Sequence, residues 1–343
     1  MVTVIEDLSS YMLSGSLDKL SFNTTSGNAT VVISMGGETI LNETYVPDAK
    51  NLISLRDLDR LIVPYLTTNL IETFHYVIKD SQNTIEKDFT VQFSATEIGL
   101  EAGTFLDEYF LSLLLGTKIT AVGRSEFVHL VCREACQVKA RLEYMTGSKL
   151  EITERVLEDV SELNQVITVD VSPDLFAVTG KTLLAYTIIA GLRSMRFEMD
   201  ALAPDTAPNL VFTNSFGCQE TIYCVGTHQI DPKYNRDTAI IDGKLKSYQI
   251  TENRNFKANT GILSTDMANW AEELFRSKEV YLMDGDATGK EVTITESKSE
   301  RNNNPDNQPS FEFEYRYSQR NHNIMPMVNA GRVFDNTFDR TFN

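Results

Sequence analysis

Alternation of apolar and polar side chains, with a period of two residues, is the feature that most limits how this chain can fold. It is clearest over residues 89–93, 137–144 and 311–317, where aliphatic or aromatic residues occupy every second position. Successive side chains of a β-strand point to opposite faces of the sheet. Each run therefore predicts an antiparallel strand with one buried face and one face in water.

Turn-forming dipeptides separate the alternating runs. They are Gly-Gly at 36–37, Gly-Ser at 147–148 and Asp-Gly at 242–243. Such pairs supply the positive backbone φ that tight hairpin turns need. The sequence therefore predicts a mainly β fold class, with tandem antiparallel β-sandwich domains and a few flanking short α-helices.

Apolar residues recur at helical spacing in three short stretches, residues 54–63, 104–115 and 264–276. A serine begins the first and the last stretch, where its hydroxyl can accept a hydrogen bond from the first helical turn. Trp270 lies on the apolar face of the last predicted helix. We expect the helices at 54–63 and 264–276 to flank the sandwiches near the two ends of the chain.

Two breaks divide the chain into three predicted domains. The clearer break is at 203–208, where paired prolines interrupt strand pairing on both sides. A weaker break lies near 95–103. We therefore place the domains at 1–100, 101–206 and 207–343.

The charge balance argues against nucleic-acid binding. The chain has 31 basic and 48 acidic residues, and its formal charge is −17. Phosphate binding needs clustered cations, so we expect no direct sequence-specific contact with nucleic acid. Two explanations of the acidity stay open: solubility, and a ring or passage in which repulsion keeps DNA moving without adhering.

A catalytic centre needs titratable side chains that converge, and the sequence has no motif for one. The four histidines are scattered, and no Gly-x-Ser-x-Gly nucleophile motif occurs. Residues 285–291 only superficially resemble a phosphate-binding loop, because the glycines are one residue too close and Glu291 replaces Ser or Thr. We therefore expect no enzyme activity and no cofactor, and assign no catalytic, cofactor-binding or metal-binding residue.

The four cysteines, Cys132, Cys136, Cys218 and Cys224, do not form a disulfide framework or a zinc motif. If Cys132 and Cys136 lie on one strand, they are about 13 Å apart at the usual rise per residue, too far to share a zinc ion. We expect buried, reduced thiols.

The sequence predicts no membrane span. Its longest apolar candidate, residues 105–115, contains Asp107, Glu108 and Ser112, and a spanning helix needs about 18 apolar residues. Residues 1–10 carry acids and lack the basic and apolar segments of a signal peptide. We expect synthesis and folding in a cytoplasm.

The C-terminal segment 331–343 has a four-residue repeat of aromatic residues. Phe334, Phe338 and Phe342 recur at every fourth position. One interpretation is a last strand or helical turn packed on its own domain. The other is an assembly arm that docks on a neighbouring subunit, because three exposed phenylalanines are costly in water.

Four segments resemble one group of proteins. They are residues 214–224, 256–261, 270–280 (WAEELFRSKEV) and 315–343, which ends in GRVFDNTFDRTFN. The group consists of uncharacterised phage and prophage proteins of the tail or baseplate, and the similarity is most specific over residues 207–343. It implies a virion role, with synthesis in the host cytoplasm, and brings no catalytic motif. The architecture also resembles the sandwich domains of tail-tube and distal-tail proteins.

Two functions follow as expectations. The first is a structural virion protein of a phage tail or baseplate, or of a related injection device, that associates with copies of itself and with other phage structural proteins. The alternative is a carbohydrate- or receptor-binding β-sandwich protein. Exposed tyrosines around Tyr315 and Tyr317 would favour the alternative.

Overall fold

The computed structural model describes residues 1–17, 19–285, 287–301 and 308–318. These ranges hold twenty-two strands and three short α-helices, and the strands form five sheets. The predicted fold class is confirmed: the protein is mainly β, with sheets packed against one another and a few short helices beside them.

Two sheets form a β-sandwich at the start of the chain. Its strands are β1 (Val2–Glu6), β2 (Tyr11–Leu13), β3 (Lys19–Thr24), β4 (Ala29–Met35), β5 (Glu38–Tyr45), β6 (Leu52–Arg56), β7 (Ile71–Lys79) and β8 (Thr84–Gln92). One sheet has the order β1-β3-β6 and the other β2-β8-β7-β4-β5. Phe22 and Ile53 of the small sheet meet Ile33 and Phe74 of the large sheet in a separate apolar core.

The middle segment also has two sheets. Its strands are β9 (Thr117–Thr120), β10 (Phe127–Val131), β11 (Cys136–Thr146), β12 (Lys149–Val160), β13 (Val166–Asp170), β14 (Thr182–Ala190) and β15 (Arg193–Met199). The five-stranded sheet has the order β12-β11-β14-β15-β9, and β10 pairs with β13. Among the described strands, β2 with β8 and β9 with β15 are the parallel pairs.

The third segment contributes one seven-stranded sheet in the order β17-β16-β20-β21-β22-β19-β18. Its strands are β16 (Asn209–Thr213), β17 (Gln219–Tyr223), β18 (His228–Ile241), β19 (Lys244–Asn259), β20 (Val280–Asp284), β21 (Ala287–Lys298) and β22 (Glu312–Tyr317). The alternation predicted over 311–317 is present, since Phe313 and Tyr315 are buried while Glu312 is exposed.

The three segments are in contact, and the last two share a core. One continuous apolar cluster runs from Phe110 to Tyr317 and includes Phe197 of the middle segment together with Trp270 of the third. A smaller cluster, here called the three-way cluster, joins all three segments. It consists of Leu13, Ile71, Ala102, Phe105, Leu106, Leu111, Val131, Phe216 and Cys218. The boundaries at 100/101 and 206/207 stay predictions.

The helix predicted over 54–63 is wrong at its start. Ser54 lies in β6, opposite Ser21 of β3, and the two hydroxyl oxygens are 3.1 Å apart. Helix α1 (Leu58–Ile62) begins only after Asp57, which has a left-handed φ of 55° and makes no side-chain cap hydrogen bond. Pairing with β3 therefore overrides the capping tendency of Ser54.

The helix predicted over 104–115 is shorter and starts earlier. Helix α2 (Ala102–Glu108) is capped by Glu101, whose carboxylate accepts from the Thr104 amide at 3.0 Å. It ends because the chain turns to bond with β10, where the Leu111 amide donates to the His129 carbonyl at 2.7 Å.

Helix α3 (Thr265–Arg276) lies where the sequence places it. The Ser264 hydroxyl accepts from the Met267 amide at 3.2 Å, as expected for the cap. Trp270 is buried in the shared core.

Candidate assembly surface

The outer part of the β18–β19 hairpin extends beyond the sheet as a two-stranded ribbon. The two strands pair from His228–Ala258 to Ile241–Lys244, with one shift of register between Asp237 and Thr238. Among the described strands, β22 is the second neighbour of β19, and it pairs with β19 from Phe256 to Asn259. Every residue over 232–251 is exposed except Ala239. We call residues 232–251 the free ribbon, because no described strand outside the hairpin pairs with them. At the usual rise its ten-residue strand is about 33 Å long.

The register places four of the six large exposed apolar side chains of the free ribbon on one face, which we call its apolar face. Directly paired residues of an antiparallel ladder point to the same side. Ile240 pairs with Leu245, and Arg236 pairs with Ile250, while Tyr234 shares their side two positions away. The Arg236 guanidinium lies 5.5 Å from the centre of the Tyr234 ring, consistent with that shared face.

Exposure on this face is large. The exposed fractions are 44% for Tyr234, 76% for Ile240, 73% for Leu245 and 47% for Ile250. A two-stranded hairpin is marginally stable by itself in water, and three or more strands or a packed face are normally needed. The free ribbon therefore presents preformed strands with apolar area available for contact.

Charged residues are also concentrated inside the protein, where the middle and third segments meet. We call this group, Lys118, Glu126, Glu220 and Glu273 with Trp270, the polar junction. Lys118 of β9 donates to the Glu126 carboxylate at 2.6 Å and to the Thr221 carbonyl at 2.8 Å. Its ammonium also lies 4.7 Å from the centre of the Trp270 ring. The Lys118 side chain is 8% exposed and that of Glu126 is fully buried. One lysine thus connects β9, β17 and α3 inside the protein.

Two further carboxylates complete the junction. Glu220 accepts from the Trp270 indole N–H and from the Asn214 amide, the latter at 2.9 Å. Glu273 accepts from the Ser215 backbone amide at 2.7 Å through Oε1. Its Oε2 has no hydrogen-bond donor among the described residues. Burial, followed by repulsion from Glu220, raises the pKa of Glu273 to about 7.

His129 borders this junction with both ring nitrogens occupied. Nε2 donates to the Gln219 carbonyl at 2.7 Å, and Nδ1 lies 2.9 Å from the Thr168 hydroxyl, which donates to it in that tautomer. Burial lowers the pKa of His129, so the neutral ring is favoured. A cavity of about 310 Å³ lies beside it, lined in part by Thr168, Gln219 and Met283. The histidine holds β10, β13 and β17 together.

The separation of about 13 Å was expected only if Cys132 and Cys136 lie on one strand, and they do not. Their sulfur atoms are 3.2 Å apart, because Cys132 follows β10 and Cys136 begins β11 across a tight turn, so they do not share one strand. All four thiols are free, and burial raises the pKa of Cys132 to about 12. Within the described ranges, no group of three or more His, Cys, Asp or Glu side chains is placed to hold a metal ion.

The tyrosines that would favour sugar binding are packed inside the protein. Tyr315 is fully buried and Tyr317 is 7% exposed. Tyr315 stacks on Phe256 with ring centres 4.8 Å apart, and Tyr317 meets the same ring edge-on at 5.1 Å.

The residues assigned to the assembly arm, Phe334, Phe338 and Phe342, lie outside the described residues. The free ribbon is a surface that the sequence did not single out, although its Asp-Gly turn at 242–243 was predicted. In the part of the chain that the structure describes, no helix has the length and apolar character to cross a membrane.

The packed sheets make this a mainly β protein of the sandwich class. No family model matches the chain, and no curated protein matches it. Among solved structures, the titin Ig tandem A164-A165 overlaps at 8% identity and a TM-score of 0.22, over 58% of this chain and 96% of that one. The N-terminal eight Ig domains of Down Syndrome Cell Adhesion Molecule overlap at 10% identity and a TM-score of 0.19, over 76% of this chain and 34% of that one.

Proposed function

We propose that this protein is a structural virion subunit of a phage tail or baseplate, or of a related injection device. It acts by associating with copies of itself and with other virion proteins, after synthesis in the host cytoplasm. The observation that carries the proposal is the free ribbon, 232–251, which presents an apolar face to solvent. The resemblance over 214–280 and at the C-terminus supports the virion class.

A protein contact at the free ribbon is physically favourable. Full burial of a Leu or Ile side chain is worth about 1.5–3 kcal/mol, and Ile240 and Leu245 are both largely exposed. The ribbon is already ordered as paired strands, so a partner does not need to fold it on binding.

The C-terminal segment is proposed as a second contact. Phe334, Phe338 and Phe342 of 331–343 would dock on a neighbouring subunit through one row of aromatic rings. If so, a chain that ends at Ala330 keeps the circular dichroism and melting temperature of the full chain but loses assembly. Unfolding or aggregation of that truncated chain would show that the segment belongs to its own core.

The carbohydrate- or receptor-binding alternative has no comparable support. It called for exposed aromatic rings near Tyr315 and Tyr317, and both rings are buried. No second function is proposed.

The decisive experiment shortens the free ribbon. Replacing 235–251 by Asn-Gly leaves Tyr234 and Glu252 as the last pair before a two-residue turn. Sedimentation velocity over a micromolar range compares this variant with the full chain, each alone and co-expressed with the structural proteins encoded beside it. We expect the full chain to form assemblies and the shortened chain to remain a folded monomer. A full chain that is monomeric in both settings, or equal association by both chains, contradicts the proposal.

A further inference from the structure

We infer that the free ribbon of one copy docks along strand β12 of a second copy, so that β18 and β12 become neighbours in one intermolecular sheet. This names the acceptor for the association proposed above and therefore rests on that function. Each copy then carries one donor ribbon and one acceptor strand. Such a head-to-tail contact builds a ring when its rotation closes and a filament when it does not.

Both strands are edges of their sheets. Among the described strands, β12 pairs only with β11, and β18 pairs only with β19. An edge strand has a row of backbone N–H and C=O groups that can pair with another chain. Strand β12 is twelve residues long, from Lys149 to Val160, and all but four of its side chains are exposed. Its length matches the ten-residue strand of the ribbon.

The outer face of β12 is apolar in the same way as the ribbon. Leu150, Ile152 and Val156 pair with Met145, Glu143 and Lys139 of β11. The intervening β11 residues Val138, Ala140, Leu142 and Tyr144 point into the core. The three aliphatic side chains of β12 therefore point outwards, and their exposed fractions are 52%, 49% and 48%.

Charge makes the two edges complementary. Strand β12 carries four acidic and two basic residues, whereas the free ribbon carries four basic and two acidic ones. On the apolar faces themselves, Glu154 lies between Ile152 and Val156, and Arg236 lies between Tyr234 and Thr238. Two ribbons would repel each other, as would two β12 edges, so pairing of unlike edges is favoured.

The edge strand β5 is the comparison: its aliphatic residues Ile40 and Leu41 are partly buried against the core of the N-terminal sandwich. Strand β5 has no large hydrophobic side chain that is exposed. Strand β12 therefore offers the free ribbon more exposed apolar area than β5 does, together with opposite charge.

Chemical crosslinking tests the contact directly. One chain carries Ile240→Cys and a second carries Ile152→Cys; the two are mixed and treated with a short bismaleimide, which tolerates a shift of register. We expect a product of twice the monomer mass that needs both cysteines. Leu192→Cys replaces Ile152→Cys in the control; Leu192 lies outside β12 and is more exposed than Ile152, 75% against 49%, yet it should give no such product.

A charge exchange provides the second test. Arg236→Glu alone and Glu154→Arg alone should each weaken association by about tenfold, and the double variant should recover most of that loss. If the chain with the shortened ribbon associates as strongly as the full chain, the proposed function itself fails. A different outcome would reject β12 alone. In that case the chain with the shortened ribbon is monomeric, Glu154→Arg associates as the natural chain does, and Ile152→Cys gives no crosslinked product with Ile240→Cys. The proposed function then stands, and β12 is not the acceptor.

Discussion

The polar junction and the free ribbon contain similar residues in opposite settings. In the junction, the Lys118 ammonium reaches the Glu126 carboxylate, the Thr221 carbonyl and the Trp270 ring, all inside the protein. On the ribbon, Arg236 lies over the ring of Tyr234, which is itself 44% exposed. The comparison separates two tasks: the junction holds the middle and third segments together, and the ribbon presents its charge and apolar area to a partner.

The largest effect on stability is expected at the junction. Glu126→Ala leaves the buried Lys118 without its carboxylate, and removing one partner of a buried ion pair costs about 3–5 kcal/mol. Urea unfolding, followed by the emission of Trp270, the single tryptophan, measures the loss. The control is Glu154→Ala on exposed β12, which should change the free energy of unfolding by less than about 0.5 kcal/mol. Equal effects of the two variants would contradict the assignment.

A smaller loss is expected when the indole is changed. Trp270→Phe keeps an aromatic ring beside Lys118 but removes the N–H that donates to Glu220. A buried carboxylate that loses a donor costs about 1.5–3 kcal/mol. Thermal unfolding by circular dichroism measures this loss. A variant as stable as the natural chain would show that the indole hydrogen bond adds nothing.

Glu273→Gln tests whether ionisation of the Glu273 carboxyl destabilises the folded protein. Its carboxyl has an ordinary pKa of 4.5 and a pKa of about 7 in the fold, so between these pH values the folded state binds more protons than the unfolded state. The stability due to this group is therefore fully present below pH 4.5 and is lost as the pH rises to 7. Glu273→Gln should be more stable than the natural chain by about 1–3 kcal/mol at pH 8, with little gain at pH 4.5.

Melting temperatures at the two pH values provide the measurement for Glu273→Gln. Glu272→Gln is the control on the same helix, because that carboxylate faces Arg276 and Arg301 at the surface. A gain of equal size at both pH values would mean that packing, and not ionisation, explains the effect.

The smallest effect on stability is expected on the ribbon. Ile240→Ser should change the free energy of unfolding by less than about 0.5 kcal/mol, because that side chain is 76% exposed. The Ile240→Ser variant should nevertheless associate more weakly than the natural chain. The control is Ile241→Ser, on the other face of the ribbon, which should associate as the natural chain does. Sedimentation velocity and thermal melting of the same samples separate the two quantities. Equal loss of association in both variants would exclude a contact through one face.

Local sequence patterns are sufficient to predict the elements that short-range interactions determine. Helix α3 begins at its predicted serine cap, and Phe313 and Tyr315 alternate with polar residues as predicted. Long-range contacts account for the errors. Gln92 alternates with apolar residues and was expected to face water, but it pairs with Ile71 and Leu13 of the three-way cluster and is buried.

The candidate surfaces were harder to predict for the same reason. The Asp-Gly turn at 242–243 predicts a hairpin, but alternation contains no information on whether a third strand lies beside it. Lys118 and Glu126 are close in the sequence, but Lys118 also donates to the Thr221 carbonyl, about a hundred residues later in the chain. Strand β9, which carries Lys118, pairs in parallel with β15, about eighty residues later, and no local spacing predicts either contact. Asp-Gly turns and isolated charges are too common to identify either surface.

The core shared by the middle and third segments also determines when this protein can fold. The N-terminal sandwich buries a core drawn from Val2 to Val91, so it can fold while the rest is still being translated. The shared core needs residues from Phe110 to Tyr317. At usual rates of synthesis those roughly 200 residues take about 10–40 s to make. During that interval Phe197 of β15 lacks Trp270 and the other core residues of the third segment, and we expect the yield of folded chain to depend on chaperones.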